Sequence, residues 1–376
     1  MHLGRFHWMI NSIGNEFRIQ SIESHFSTLI THLQTLSANP GNQDVANAFK
    51  NSLESFRQIL EKSEFSTPRP ALDSMLISIG ANAFLGPGLF SRTIKAIDSN
   101  AYSPALAVAA LNTLFAQFRE FSADITTIDA VFTRLRVEFD DLNCGEGEIG
   151  LLLPRDENSS KLEDLAKELK QWHIALSPIA ELFDSSAPPL TIRTFSTTDW
   201  MIYLAATPPI LFGISTCLKG VNSILKDLIQ TRSLLSQLTK TTLPAEKIKE
   251  LEDHADGEVK EKINNFVEKT IKETYKGDDD ARKNELRNAL TQSMRTIIQK
   301  TSSGAKIELR LLPLEEPEKH ENSDEGARKS EVAAIKAYEA QVALADQLNR
   351  EIDLLSVQCD TPINLIEDHT LQSEVH

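Results

Sequence analysis

The chain is short of the residues that carry recognisable chemistry. Only three of its 376 residues are cysteines, Cys144, Cys217 and Cys359, and no CxxC pair occurs. That excludes a zinc ribbon and a thioredoxin-like redox site, and it suits a reducing cytosol better than a disulfide scaffold. Positive charge is also scarce: 39 Lys and Arg stand against 54 Asp and Glu, a net charge of −15. A general nucleic-acid binder needs a basic footprint, so nucleic acid is disfavoured as a partner. Glycine is not gathered where a phosphate cradle needs it. There is no Walker A, no GxGxxG after a strand, no HExxH, no GxSxG and no kinase set. The nine histidines are dispersed. No cofactor, no metal-ligand set and no catalytic residue is indicated.

What the chain does have is apolar periodicity. The stretch Leu190–Leu238 organises the rest. Leu190-Thr-Ile-Arg-Thr-Phe195 alternates apolar and polar residues, with Leu190 and Ile192 on one face, which is the period of a half-buried strand. Ser196–Asp199 is a polar turn, and Trp200–Leu204 is rich in β-formers and returns as the second arm of a hairpin. Thr207 is placed to cap a helix opened by Pro208 and Pro209, since proline is tolerated in a first turn. Beyond them Leu211, Ile214, Leu218, Val221, Leu225, Leu228 and Leu235 keep spacings of three and four, with Arg232 at the one missed position. A rival reading takes the uncharged run Trp200–Leu218 as a membrane anchor. The double proline, the strand-like alternation and the seam running on into a charged helix weigh against it.

Toward the N-terminus, Met1–Ile10 is too short in its apolar part for a signal peptide and reads as a loosely docked arm. Ile19, Ile22, Phe26, Leu29, Leu33 and Leu36 form a first seam. After the break at Pro40-Gly41-Asn42, Val45, Phe49, Leu53, Phe56 and Leu60 form a second, folding back as a helical hairpin. Gly86-Pro87-Gly88 reads as a loop between short helices. Pro104 opens a long helix whose seam, Leu111, Leu114, Phe118, Phe121, Ile125, Ile128, Phe132 and Leu135, is expected against the Ile19–Leu36 helix. An aromatic stripe at that spacing is core rather than ligand site.

Asp140–Gly147 is an acidic turn without EF-hand spacing, read as solvated. Ile149–Leu153 is a short buried strand. Ser159 or Ser160 then caps a helix with Leu162, Leu165, Leu169, Trp172 and Leu176 on one face, and with a lone His173 beside Trp172. Ala245–Lys300 is dense in charge and reads as two exposed helices broken at Gly277-Asp-Asp-Asp280, with Glu258–Lys262 as a supporting pair. Lys306–Leu311 alternates as a further strand with Ile307, Leu309 and Leu311 on one face. Pro313–Gly326 is an acidic linker. Glu331–Val357 is a last helix with Val332, Ile335, Tyr338, Val342, Leu348, Ile352 and Leu355 inward, and the tail after Pro362 is expected to be disordered.

Two pieces carry a resemblance: Glu148-Ile-Gly-Leu-Leu-Leu-Pro-Arg155, and Ile192-Arg-Thr-Phe-Ser-Thr-Thr-Asp199 followed by the apolar helix. Over Glu148–Leu238 the chain resembles a loose group of uncharacterised bacterial proteins. Their strand–hairpin–long-helix module is similar to effector-associated interaction modules of bacterial conflict systems. The resemblance implies a bacterial, cytoplasmic interaction protein and brings no catalytic residues with it.

The expected fold is α+β and predominantly α. Long antiparallel, coiled-coil-like helices flank a small, mainly antiparallel sheet of Ile149–Leu153, Leu190–Phe195, Trp200–Leu204 and Lys306–Leu311. The expected modules are a helical bundle (1–145), a strand–helix–hairpin–long-helix core (146–243), a charged helical pair (244–303), and a strand, acidic linker and final helix with its tail (304–376). The expected function is a non-enzymatic scaffold or adaptor meeting a protein partner, or itself, through helical faces. The alternatives are a protein anchored to a membrane through 200–218, and a hydrolase or nuclease with a dispersed site around His173 and the acidic turn.

Overall fold

Contacts divide the chain into two units, Met1–Asp141 and Leu142–His376. The computed structural model describes residues 2–66, 68, 70–154, 161–186, 188–196, 200–239, 245–317 and 325–350.

The first unit is all helical: α1 (Leu3–Ile19), α2 (Ile22–Ala38), α3 (Gln43–Glu61), α4 (Pro70–Ser78), a 3-10 turn (Ala81–Ala83), α5 (Gly86–Asp98) and α6 (Pro104–Arg134). The N-terminus is not a loose arm. It forms α1, which buries Met9, Ile10, Ile13 and Phe17 and packs along α6. Arg5 locks it down by donating from Nε to Asp140 Oδ2 at 2.9 Å. The seam expected to start at Ile19 starts at Ile22 instead. Ser21 adopts a left-handed φ of 50°, which ends α1 and leaves Ile19 exposed.

Asn42 caps α3 by accepting from the Asp44 and Val45 amides, so α2 and α3 form the expected hairpin. The long α6 runs beside α1, α2 and α5. Leu111, Leu114, Phe118 and Ile125 are buried, and Phe118 meets Phe17 edge-on with ring centroids 4.9 Å apart. Leu135, at the far end of that seam, is 64 % exposed. Gly86-Pro87-Gly88 is the first turn of α5 and not a loop. A Cβ on Gly88 would sit 1.8 Å from the Asn82 carbonyl, so only glycine fits that close approach.

The second unit is a four-stranded antiparallel sheet packed with helices. Its elements are β1 (Gly147–Leu152), α7 (Leu162–Phe183), β2 (Thr191–Ser196), β3 (Met201–Ala206), α8 (Pro208–Thr239), α9 (Ala245–Thr274), α10 (Asp280–Ser302), β4 (Lys306–Leu311) and α11 (Glu325–Arg350). The strand order is β2-β3-β1-β4. Cross-strand register puts Ile149 and Leu151 of β1 level with Leu204 and Ile202 of β3 and with Leu309 and Ile307 of β4. That face shares one core with Trp172 and Leu176 of α7 and with Leu211, Ile214, Leu218, Val221 and Leu225 of α8. Leu228, Arg232 and Leu235 belong to the side chains outside the described set, as do Thr197 of the turn, Ser159, Ser160, Ile352 and Leu355.

Three expectations change here. The α9 and α10 helices are not a solvated pair. Val259, Ile263, Val267, Ile271, Leu290, Met294 and Ile297 are all buried in the core, because a narrow seam suffices when helices flank it on both sides. Lys262 of α9 donates to Asp227 of α8 at 2.7 Å, outside its own helix. Leu162 on α7 and Val332 on α11 are exposed, while Ala345 and Leu348 carry the packing of α11. Finally, β2 does not bury Ile192. The register slips between Ile192 and Thr194, so Arg193 sits at a bulge. Because β2 is the outermost strand, Ile192 lies at the open edge of the sheet, 59 % exposed.

Candidate functional site

The sheet's second face alternates with its apolar one and carries charge. Glu148, Gly150 and Leu152 of β1 lie level with Arg310, Glu308 and Lys306 of β4 and with Ala205, Tyr203 and Met201 of β3. Glu148 is 2 % exposed. Its carboxylate stands between two arginines, 3.8 Å from Arg193 Nη1 on β2 and 3.8 Å from Arg310 Nη1 on β4. A carboxylate removed from water needs such compensation, and the triad ties both outer strands to the middle of the sheet. Gly150 supplies the room: a Cβ there would meet Glu308 Cγ at 2.4 Å and Met201 Cε at 2.5 Å.

At the end of this face, where β1 starts and β3 runs into α8, lies a cleft of about 380 Å³. Pro189, Thr191 and Arg193 form one wall, and Asn143, Glu146 and Thr207 form others. Glu146 accepts from the Asn143 amide at 3.1 Å and from Asn143 Nδ2 at 3.0 Å. These donors hold its carboxyl below the usual range, so it is charged at neutral pH. Thr207 accepts from the Leu211 amide at the start of α8 and donates its hydroxyl to Asp184 Oδ2 at 2.8 Å. Pro208 and Pro209 lack N–H groups, so this helix start has few donors left for an anion. The cleft therefore holds one charge of each sign beside a strand edge, Arg193 Nη1 lying 3.7 Å from Glu146 Oε2.

The other side of β2 is apolar and uncovered. Ile192 lies level with Leu204 and Phe195 level with Ile202, so both extend the core face of the sheet. Ile202 is buried, yet Ile192 is 59 % and Phe195 39 % exposed. The apolar face is wider than the layer of helices over it.

The residues the sequence singled out are spread through the chain. His173 on α7 has Ser177 as its hydrogen-bond neighbour, Oγ to Nδ1 at 3.1 Å, on an exposed surface. Asp140 is held by Arg5 and lies 3.3 Å from His2 Nδ1. Asp279 accepts from the Ala281 and Arg282 amides as the cap of α10. Among the described residues, no group of three or more His, Cys, Asp or Glu is placed to hold a metal ion. Cys217 is fully buried and burial pushes its thiol up to about 12, whereas Cys144 is exposed and Cys359 lies outside the described residues. The run 200–218 divides into β3 and the start of α8, and among the described residues no helix is long and apolar enough to cross a membrane.

The Arg193–Glu148–Arg310 triad was missed from sequence. Arg193 and Arg310 are polar positions of their strands' alternation and Glu148 flanks an apolar run, and the strand order that unites them is not written in any one segment. No protein-family model matches the chain, and neither the characterised proteins nor the solved structures compared with it show significant similarity.

Proposed function

We propose that the chain is a non-enzymatic scaffold or adaptor that docks a protein partner on the uncovered margin of its sheet. The observation that carries this is the exposure of Ile192 and Phe195 on an edge strand whose inner neighbours are core. Apolar β-formers left open beside a polar cleft have the make-up of an interaction surface. Much of the described helical seams is packed inside the two units: Leu111, Phe118 and Ile125 in one, Leu211, Ile214 and Ile263 in the other. The sheet margin is not. The occupant we favour is a partner segment whose apolar side chains cover Ile192 and Phe195. The resemblance of Glu148–Leu238 to interaction modules supports a bacterial, cytoplasmic setting, in defence or stress.

The test is photo-crosslinking in the source cells, with a benzophenone amino acid placed at Ile192 or at Phe195. Leu162, exposed on α7, serves as the control position. A discrete crosslinked protein seen from both sheet positions and not from the control is expected. A crosslink to a second copy of the chain would identify self-association as the interaction. Crosslinks no different from those at Leu162 would overturn the reading.

A further inference from the structure

Away from the sheet, α9 and α10 enclose a groove of about 520 Å³. One face of α10 lines it, with Arg287, Asn288, Thr291, Gln292 and Arg295 spaced so that they share a side of the helix. Asn264, Val267 and Glu268 of α9 form the opposite wall. The two arginines differ. Arg287 is spoken for: its Nε lies 2.5 Å from Glu268 Oε1, and its Nη1 donates to Asn284 Oδ1 at 2.5 Å. Arg295 is not. Its Nε is buried without a hydrogen-bond partner, and no ion pair reaches it among the described residues. A half-buried guanidinium without a counter-charge is costly, and more unexpected in a chain with 54 acids to 39 bases.

The remaining groups show the kind of molecule that would supply the missing charge. The side-chain amides of Asn264, Asn288 and Gln292 make no hydrogen bond among the described residues. Each can both donate and accept, as a hydroxyl group requires. Thr291 donates to the Arg287 carbonyl at 2.9 Å, leaving its oxygen free to accept. Glu268 offers carboxylate oxygens at the end away from Arg295. Among the described residues that line it, Val267 is the one apolar side chain and none is aromatic, so they give a nucleobase nothing to stack on. The volume is that of a small-molecule site. A planar guanidinium at one end suits a phosphate group, which it can bind through two N–H donors.

We propose that the α9–α10 groove binds a small phosphorylated sugar or polyol, with the phosphate on Arg295 and the hydroxyls on the Asn264, Asn288 and Gln292 amides. This does not depend on the partner surface at β2.

The experiment is calorimetric titration of the full chain with glucose 6-phosphate and ribose 5-phosphate. Glucose and inorganic phosphate are the controls. At least one sugar phosphate should bind, at least tenfold more tightly than inorganic phosphate, while glucose shows no binding. Arg295→Gln should weaken that binding at least tenfold and leave the thermal midpoint of the free protein unchanged or raised, because Arg295 has no partner among the described residues. Asn264→Ala should weaken the sugar phosphate and not inorganic phosphate. Absence of binding by both sugar phosphates overturns the proposal. So does binding that Arg295→Gln leaves intact, or equal affinity for inorganic phosphate. Binding of a poly-glutamate peptide in place of the sugar phosphates would make the groove a contact for an acidic partner, and would also overturn it.

Discussion

At the scale of single residues, burial decides what each side chain contributes, and spacing alone does not report burial. Phe118 and Leu135 belong to one seam in the sequence. Phe118 is 1 % exposed and Leu135 64 %. Phe118→Ala should therefore cost about 3–5 kcal/mol, against about 0.5 kcal/mol or less for Leu135→Ala. Urea denaturation of the two variants measures the difference, and equal losses would mean that the seam is uniformly packed. Glu16 gives a pH signature. It accepts from Ser63 Oγ at 2.7 Å and from the Glu64 amide at 3.2 Å, but burial outweighs these donors and pushes its carboxyl above the usual range. A raised carboxyl pKa means that the folded state binds the proton more tightly than the unfolded one. The resulting stabilisation is present at low pH and is lost as pH rises through the folded value. Glu16→Gln keeps an acceptor for Ser63 and removes the titration. The wild type should lose stability relative to this variant as pH rises above the ordinary carboxyl value of 4.5. A difference that stays constant, or moves the other way, would contradict the assignment. The burial of Phe118 was legible from its seam, whereas that of Glu16 was not, since Glu16 stands among polar residues and its partner Ser63 is 47 positions away.

At the scale of elements, local patterns were readable and phases were not. Period-two alternation located β2 and β4, a continuous apolar run β1 and a cluster of β-formers β3, and Pro104 and Pro208 marked helix starts, because these signals are local. Helix α1 was lost because polar and aromatic residues interrupt its short seam; its partner, α6, lies about a hundred positions away. Leu190 and Ile192 of β2 were placed on the core face, as the register has them, but the burial of Ile192 was overestimated because β2 is the edge strand. The burial of α9 and α10 was underestimated because their charge lies on the outside while Ile263, Val267, Leu290 and Met294 face in. The sheet's charged face supplies the test at this scale. Glu148 holds β1 between Arg193 and Arg310, and replacing it leaves two arginines without their shared carboxylate. Glu148→Ala should cost about 3–5 kcal/mol. Thermal unfolding of that variant checks this, and a loss below about 1 kcal/mol would show that the triad is not a strut of the sheet.

At the scale of the whole molecule, each unit has an apolar core of its own. The first closes its aromatic core around Phe26, Phe56 and Phe118. In the second, helices cover most of the apolar face of the sheet, and α11 packs on β4, while the opposite edge strand keeps Ile192 and Phe195 in solvent. A bulge and an inward-turned arginine protect that edge from indiscriminate strand pairing, which fits a surface kept for one partner. The sequence pointed to an interaction protein through helical faces. It could not point to the sheet margin, because Ile192 reads as core until the strand order that leaves β2 at the edge is seen. The most direct test of this account is the unfolding free energy of the free chain carrying Ile192→Ser and Phe195→Ser together, measured alongside the crosslink. If the margin is open in the free protein and kept for a partner, the double variant loses no more than about 1 kcal/mol, as surface substitutions do, while crosslinking from a benzophenone at Thr191 disappears. A loss of about 3 kcal/mol or more would show that the two side chains are already buried within the free chain and would contradict it.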